Sequence, residues 1–96
     1  MLKIEQKNNQ NFGAFVAFYD DEKAGTMQYE WKNALIFNIT HTEVDSKFGG
    51  KGIAKSLIFA ALDYARKEGK KINATCPFAK SVLEKDETVQ DIFVKN

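Results

Sequence analysis

A change in the spacing of apolar residues divides the chain near its middle, at the glycine- and lysine-rich segment KFGGKGIAKSL, residues 47–57. Ahead of this segment, apolar and β-branched residues form short alternating stretches, which are typical of strands. After it, apolar residues recur at helical spacing, at Ile53, Leu57, Ile58, Ala61, Leu62 and Ala65. The chain is therefore expected to fold as a set of strands followed by a helix.

The first half is predicted to contain four strands, over residues 2–6, Phe12–Tyr19, 26–31 and 35–44. The polar segment DDEKAG, residues 20–25, is expected to be a turn between the second and third strands. Short connections of this kind favour a meander of antiparallel neighbours.

The second half is predicted to contain two helices with a strand between them. The first helix is expected to end at Gly69, which suits a left-handed C-terminal cap, and a strand follows over residues 70–76. Pro77 suits the first position of the second helix, over residues 78–85, and residues 86–96 are read as either a final strand or a short helix. A strand, a loop, a helix and a strand form a β-α-β unit, whose strands should be parallel neighbours with a right-handed crossover. The predicted class is α+β, a mostly antiparallel sheet with a central β-α-β unit and helices packed on it.

The composition excludes several classes of function. The 96 residues suffice for one small domain, residues 1–96, and the single cysteine and single histidine argue against a disulfide or a metal site. A net charge of +1 gives no bulk basicity for binding nucleic acid. The start, MLKIEQKNNQ, lacks the apolar core of a secretion signal, and no apolar run approaches the roughly 20 residues that span a bilayer. A cytoplasmic location without membrane attachment is expected.

The loop before the first helix is chemically suited to bind phosphate. The first turn of a helix leaves about four backbone N–H groups without partners at the positive end of the helix dipole. Glycines let a phosphate approach the backbone closely, while Lys47 and Lys51 add positive charge. The alternative is a flexible turn that needs glycine for positive φ, with solvated lysines. Neither the Walker A pattern nor the dinucleotide fingerprint G-x-G-x-x-G is present.

Residues 41–85 resemble the GNAT N-acetyltransferases, and within them the small single-domain YjdJ-type branch. The superfamily's phosphate motif is Gln/Arg-x-x-Gly-x-Gly/Ala, and KFGGKG matches both of its glycines, although lysine replaces the first residue. The patterns HT.V, GKGIA, AL..AR..G and CPFA...L.K of the small branch are also present at matching spacing. The resemblance implies a small GNAT-like fold and a minimal acetyltransferase that transfers acetyl from acetyl-CoA to an amine on a small molecule or a protein. Its loop would hold the pyrophosphate through Lys47, Phe48, Gly49, Gly50, Lys51, Gly52, Ile53 and Ala54.

The strand before the loop supplies two candidate bases. Strand side chains alternate, so His41 and Glu43 should share one face and Thr42 and Val44 the other. The resemblance implies that backbone groups of Thr42 and Val44 pair with the pantetheine arm of the cofactor, as an added strand would. Glu43 is either a base, acting directly or through water, or a solvated carboxylate. His41 is either a base or a histidine whose hydrogen bonds support the strand.

Cys76 is the sharpest catalytic candidate, because it ends a strand just before Pro77 and the start of a helix, where a thiol pKa can be lowered. It would protonate the leaving thiolate or accept the acetyl group itself. The alternative is a small buried apolar residue. Asn73 either hydrogen-bonds the cofactor arm or faces solvent, and Phe78 either packs on the cofactor or anchors the helix.

Two other functions remain open at this point. A module could bind CoA or an acyl-CoA without turnover, because the helix after Cys76, PFAKSVLEK, lacks the tyrosine that many relatives use as the acid. A nucleic-acid or protein-interaction domain using the lysine-rich loop is disfavoured by the near-neutral charge. The expected state is a monomer or a weak homodimer without nucleic-acid partners.

Overall fold

The computed structural model describes residues 1–95, in which five strands form one sheet in the order β1-β2-β3-β4-β5. The first four strands pair as antiparallel neighbours, and the fifth runs parallel to the fourth. This arrangement confirms the predicted α+β fold. The strands are β1 (Leu2–Asn8), β2 (Phe12–Tyr19), β3 (Glu22–Trp31), β4 (Ile36–Val44) and β5 (Lys71–Ala74).

Two helices follow the predicted positions, α1 at Ile53–Glu68 and α2 at Pro77–Lys85. The left-handed Gly69, at φ 67°, ends α1 and donates its N–H to the carbonyl of Ala65, as its sequence position indicates. Pro77 occupies the first turn of α2, where its missing N–H costs no helical hydrogen bond. Within residues 1–95, no helix combines the length and the apolarity that crossing a membrane requires.

The turn between β2 and β3 is shorter than predicted. Only Asp20 and Asp21 form it, with φ of 50° and 69°, and Tyr19 already pairs with Glu22. A two-residue hairpin with positive φ at both positions matches the twist of the strands, and aspartate tolerates this conformation better than most residues do. The predicted turn over residues 20–25 is therefore wrong over residues 22–25, which belong to β3.

The tail contains parts of both predicted alternatives. Glu87–Val89 form a short 3₁₀ turn, after which Phe93 makes an isolated parallel bridge with Ile72 of β5. Two backbone hydrogen bonds of 2.7 Å, from Ile72 N–H to the carbonyl of Ile92 and from Val94 N–H to the carbonyl of Ile72, hold the tail beside β5. Residue 96, included in the predicted tail, lies outside the described residues.

The side chain of Arg66, in the last turn of α1, fastens the tail to the helix. It donates to both carboxylate oxygens of Asp91, at 3.0 and 3.2 Å, and to the carbonyl of Thr88 at 2.7 Å. The guanidinium lowers the pKa of Asp91 through this hydrogen bond.

Both helices lie on one face of the sheet, here called the helix face. Their buried residues join those of the strands in one apolar cluster, which includes Met27, Tyr29, Phe37, Ile39, Leu57, Ile58, Ile72, Ala79 and Leu83. Val16, buried to 7% exposure, lies outside this cluster on the opposite face. That opposite face, here called the open face, carries Val16, Gln28, Glu30, Asn38, His41, Glu43 and Asn73, and among residues 1–95 no helix covers it.

A bulge in β4 decides which residues reach the open face. Gln28 pairs with His41 while its neighbour Tyr29 pairs with Ile39, so Thr40 is an extra residue on β4. Without the bulge, Asn38 and His41 would point to opposite faces. With it, both lie on the open face.

Candidate functional site

The loop before α1 leaves backbone donors unpaired. Gly52 caps the helix at φ 71° and has no side chain to accept from the first turn. Among residues 1–95, no hydrogen bond engages the N–H groups of Gly52, Ile53 and Ala54. A β-carbon on Gly50 (φ 80°) or Gly52 would meet no atom within 4 Å, so these glycines are required by backbone conformation rather than by crowding. Free donors beside open space suit an anion.

The two lysines of the loop are already engaged. Lys47 donates to both carboxylate oxygens of Glu22, at 3.0 and 2.8 Å, and this hydrogen bond raises the pKa of Lys47. Lys51 places its ammonium 4.8 Å from the centre of the Tyr19 ring. Phe48 is buried, with its ring 5.7 Å from that of Tyr19, and therefore fixes the loop against the sheet.

Strands β4 and β5 separate close to this loop. They pair only from Ile36 to Ile39, and the carbonyl of Ile39 accepts from the N–H groups of both Thr75 (3.0 Å) and Cys76 (3.1 Å). Beyond this point β4 continues, whereas the chain after β5 turns into α2. The result is a gap between residues 42–44 and residues 76–78, here called the strand gap.

The edge of β4 in the strand gap carries unpaired peptide groups. Asp45 donates its N–H to the carbonyl of Ala24 on β3 at 2.8 Å. Because peptide groups alternate along an antiparallel ladder, those of Thr42 and Val44 point away from β3 and into the gap. An extended ligand could pair there as a short strand does.

Cys76 closes the strand gap on the helix face. Its thiol donates to the hydroxyl oxygen of Thr42 at 3.6 Å, and the residue is 6% exposed. It is also the N-cap of α2, without a side-chain capping bond. Phe78, the second residue of α2, is 40% exposed and belongs to the segment that borders the gap.

The other two predicted catalytic residues lie on the open face. His41 Nε2 is 3.5 Å from Glu43 Oε2, and both side chains are more than half exposed. The contact confirms that these two residues share a face, with Thr42 turned to the other. The structure therefore brings His41 and Glu43 together and places Cys76 on the opposite side of the sheet.

Two asparagines lie side by side on the open face of β4 and β5. The solvent-facing alternative for Asn73 is wrong, because this residue is 2% exposed and its Nδ2 donates to the carbonyl of Val94 at 2.7 Å. Its Oδ1 accepts from Lys32 at 3.2 Å. Asn38 pairs with it in register, is 4% exposed, and donates from Nδ2 to the hydroxyl of Thr75 at 3.1 Å.

The Oδ1 atom of Asn38 is buried and, within residues 1–95, has no hydrogen-bond partner. Asn38 is not among the residues predicted from the sequence to form the site. The available signal was a lone amide between Phe37 and Ile39 in an otherwise apolar stretch of strand. Buried polar atoms of this kind are rare and need an explanation.

Comparison with known proteins identifies the family. A family model described as GCN5-related N-acetyl-transferase matches residues 14–92. Protein NATD1 of Gallus gallus is 36% identical over 58 residues, which make up 60% of this chain and 53% of that protein. The chain thus spans about half the length of the curated relatives it matches.

Solved structures share the fold. A GCN5-like protein from Staphylococcus aureus, solved by NMR, is 32% identical and superposes with a TM-score of 0.72 over 96% of this chain and 89% of its own. PaiA N-acetyltransferase from Thermoplasma acidophilum, solved in complex with coenzyme A, is 20% identical with a TM-score of 0.55, over 62% of this chain and 36% of its own. The chain belongs to the GCN5-related N-acetyltransferase family.

Proposed function

We propose that the chain transfers acetyl from acetyl-CoA to an amine, with the strand gap as its active site. The observation that carries this proposal is the row of unpaired N–H groups at Gly52, Ile53 and Ala54, next to a gap lined by unpaired peptide groups of β4. The first set suits a pyrophosphate and the second suits the amide-bearing arm of CoA. The neighbour solved with coenzyme A supports the same ligand.

The loop and the strand gap divide the binding of the cofactor between them. The amides of Gly50, Lys51 and the start of α1 hold the pyrophosphate, while Thr42 and Val44 pair with the pantetheine arm. The N–H of Gly49 already donates to the carbonyl of Ser46 at 3.1 Å, so Gly49 shapes the loop and does not supply a free donor. Phe78 packs against that arm from α2. Phe48 contributes through its position under the loop, and Lys47 through charge once it leaves Glu22. The side-chain amide of Asn73 is hydrogen-bonded to Val94 and Lys32. We therefore expect Asn73 to stabilise the strands beside the gap and not to contact the cofactor.

When bound, acetyl-CoA supplies an acetyl group activated as a thioester. The chain's own residues then move protons on the two sides of the sheet. Cys76 offers its Sγ proton to the departing sulfur from the helix face. Glu43, with His41 beside it, accepts a proton from the attacking amine on the open face.

A CoA-binding module without turnover is the second candidate. It is favoured by the burial of Cys76 and by its hydrogen bond to Thr42, which together fit a structural thiol equally well. Four expectations from the sequence stay predictions. They are a location in the cytoplasm, a monomeric or weakly dimeric state, the absence of nucleic-acid partners and membership of the YjdJ-type branch.

A titration followed by two-dimensional amide NMR tests the proposal. We expect CoA to shift the amide signals of residues 47–54 together with those of Thr42 and Val44. Pantetheine, which lacks the phosphates, should shift only the residues of β4. Unchanged spectra at millimolar CoA would remove the proposal. Binding of acetyl-CoA without thiol release in the presence of a panel of primary amines would instead favour the module.

A further inference from the structure

We infer that Asn38 positions the acceptor amine and makes the site selective for primary over secondary amines. This inference rests on the proposed acetyl transfer. It concerns a residue that lies outside the phosphate loop, the cofactor edge of β4 and the predicted catalytic trio.

The bulge at Thr40 places Asn38 beside the candidate base. Because one residue of β4 is absorbed by the bulge, Asn38 and His41 follow one another along the open face. Their spacing is about two strand residues, roughly 6.6 Å. Their side chains therefore leave the same face of β4 at neighbouring positions, where one amine nitrogen could donate to both. Ile39, whose carbonyl closes the strand gap, lies between the two residues in sequence.

Among residues 1–95, no donor reaches the Oδ1 of Asn38. The neighbouring side chains point their hydrogen bonds elsewhere, since Asn73 Nδ2 donates to the carbonyl of Val94 and the ammonium of Lys32 donates to Asn73 Oδ1. Its cross-strand neighbour on β3 is Glu30, an exposed carboxylate that can only accept. Glu30 is a long side chain that can swing aside, and its charge attracts a protonated amine. An amine that arrives at the open face would supply the N–H donor that Asn38 Oδ1 lacks in the structure.

The number of N–H groups on the acceptor amine determines the selectivity for primary over secondary amines. A neutral primary amine has two N–H groups and one lone pair, so it can donate to Asn38 and to the His41–Glu43 pair while it attacks. One proton passes to that pair as the nitrogen–carbon bond forms and the carbon–sulfur bond breaks. The remaining N–H stays on the product amide, bonded to Asn38. A secondary amine has a single N–H and leaves one of the two acceptors unpaired.

Steady-state kinetics with butylamine and N-methylbutylamine test this inference. Relative to their uncatalysed reactions with acetyl-CoA, we expect the protein to prefer butylamine by about tenfold or more. Asn38→Leu, of similar size but without the oxygen, should remove the preference by raising KM for butylamine. The affinity for CoA should not change, and Tm should hold or rise because a buried unpaired acceptor is gone.

Thr75→Val is the matched control, because it removes the partner of Asn38 Nδ2 and leaves Oδ1 in place. It should keep the preference for the primary amine. An Asn38→Leu protein that folds, binds CoA and still prefers butylamine would overturn the inference, as would a loss of Tm with KM unchanged.

A second measurement does not depend on turnover. Butylamine added to the CoA-bound protein should shift the side-chain NH₂ signals of Asn38 and the signals of His41. Its Kd should rise about tenfold in Asn38→Leu. An equal Kd in both proteins, or shifts confined to other residues, contradicts the role of Asn38 but not the proposed acetyl transfer. Failure of CoA to shift residues 47–54 contradicts the acetyl-transfer proposal instead.

Discussion

A glycine caps each end of α1, but the backbone N–H groups are hydrogen-bonded at one end and free at the other. Gly52 and Gly69 both have left-handed backbones, at φ 71° and 67°. At the C-terminal end, the N–H groups of Gly69 and Lys70 both donate to the carbonyl of Ala65. At the N-terminal end, the first N–H groups of the helix have no acceptor among residues 1–95. One glycine completes the helix and the other leaves it open to a ligand.

The sheet repeats this contrast along β4. At its start, here called the closed end, the ring of Phe37 lies 4.7 Å from Tyr29 and 5.3 Å from Trp31. The hydroxyl of Tyr29 and the indole N–H of Trp31 both donate to Asn8 Oδ1 at 2.9 Å, and burial raises the pKa of Tyr29. At the other end, here called the open end, the strands separate after Ile39. At the closed end, Tyr29 and Trp31 find their hydrogen-bond partner inside the chain, whereas at the open end the peptide groups of Thr42 and Val44 on the edge of β4 have none among residues 1–95.

The largest effect is expected from Phe37→Ala at the closed end. Truncating a fully buried aromatic ring should cost about 3–5 kcal/mol of the free energy of unfolding, measured with urea. The CoA affinity of the molecules that remain folded should change by less than about twofold. Phe37→Leu, which keeps most of the volume, should cost much less. A loss of CoA affinity in the folded Phe37→Leu protein would mean that the two ends are coupled.

At the open end, Cys76→Ala should act on rate rather than on stability. Removing a positioned acid is expected to lower kcat about 100-fold, with the affinity for CoA unchanged. Ile72→Val is the matched control, since it trims a buried residue of β5 in the same apolar cluster as Cys76 and should cost only about 1 kcal/mol of stability without a change in kcat. If Cys76→Ala keeps the full kcat, the thiol is a structural residue.

The same contrast separates what local sequence predicts from what it does not. Three features depend only on neighbouring residues, and the structure has them as predicted. They are the helix from Ile53, the strand Phe12–Tyr19 and the end of α1 at Gly69. The site before α1 follows from local chemistry too, because glycines at a helix start leave free donors. Their use by a cofactor stays a prediction.

What the sequence did not reveal depends on pairing between strands. The bulge at Thr40 exists only in the register of β4 against β3, and no local pattern marks it. Asn38 was missed for the same reason. Its Oδ1 lacks a hydrogen-bond partner because of the side chains that the neighbouring strands β3 and β5 bring next to it. The partners of Asn73 come from Lys32 and the tail, which are distant in sequence.

A smaller effect is expected from the pair Gly52→Asn and Gly52→Asp. Both side chains tolerate a left-handed backbone, so both variants should lose about 1 kcal/mol of stability or less. They differ in charge, and a carboxylate beside the free N–H groups repels a phosphate. Gly52→Asp should therefore bind CoA at least about tenfold more weakly than Gly52→Asn, measured by calorimetry. Equal affinities would mean that phosphate does not bind at this end of α1.

The smallest effect is expected from Glu22→Gln, which releases Lys47 from its ion pair at the open end. The freed ammonium can turn towards the phosphates, and a nearby negative charge is lost, so CoA affinity should rise about two- to fivefold at low salt. The gain should fade towards 1 M salt, where charges are screened beyond roughly 3 Å. Glu5→Gln makes the same change of charge beside Lys3 on β1 and should leave CoA affinity unchanged. An equal gain in both variants would show that net charge, rather than Lys47, sets the affinity. If neither variant gains, the unpaired amides of the loop hold the phosphates without help from this lysine.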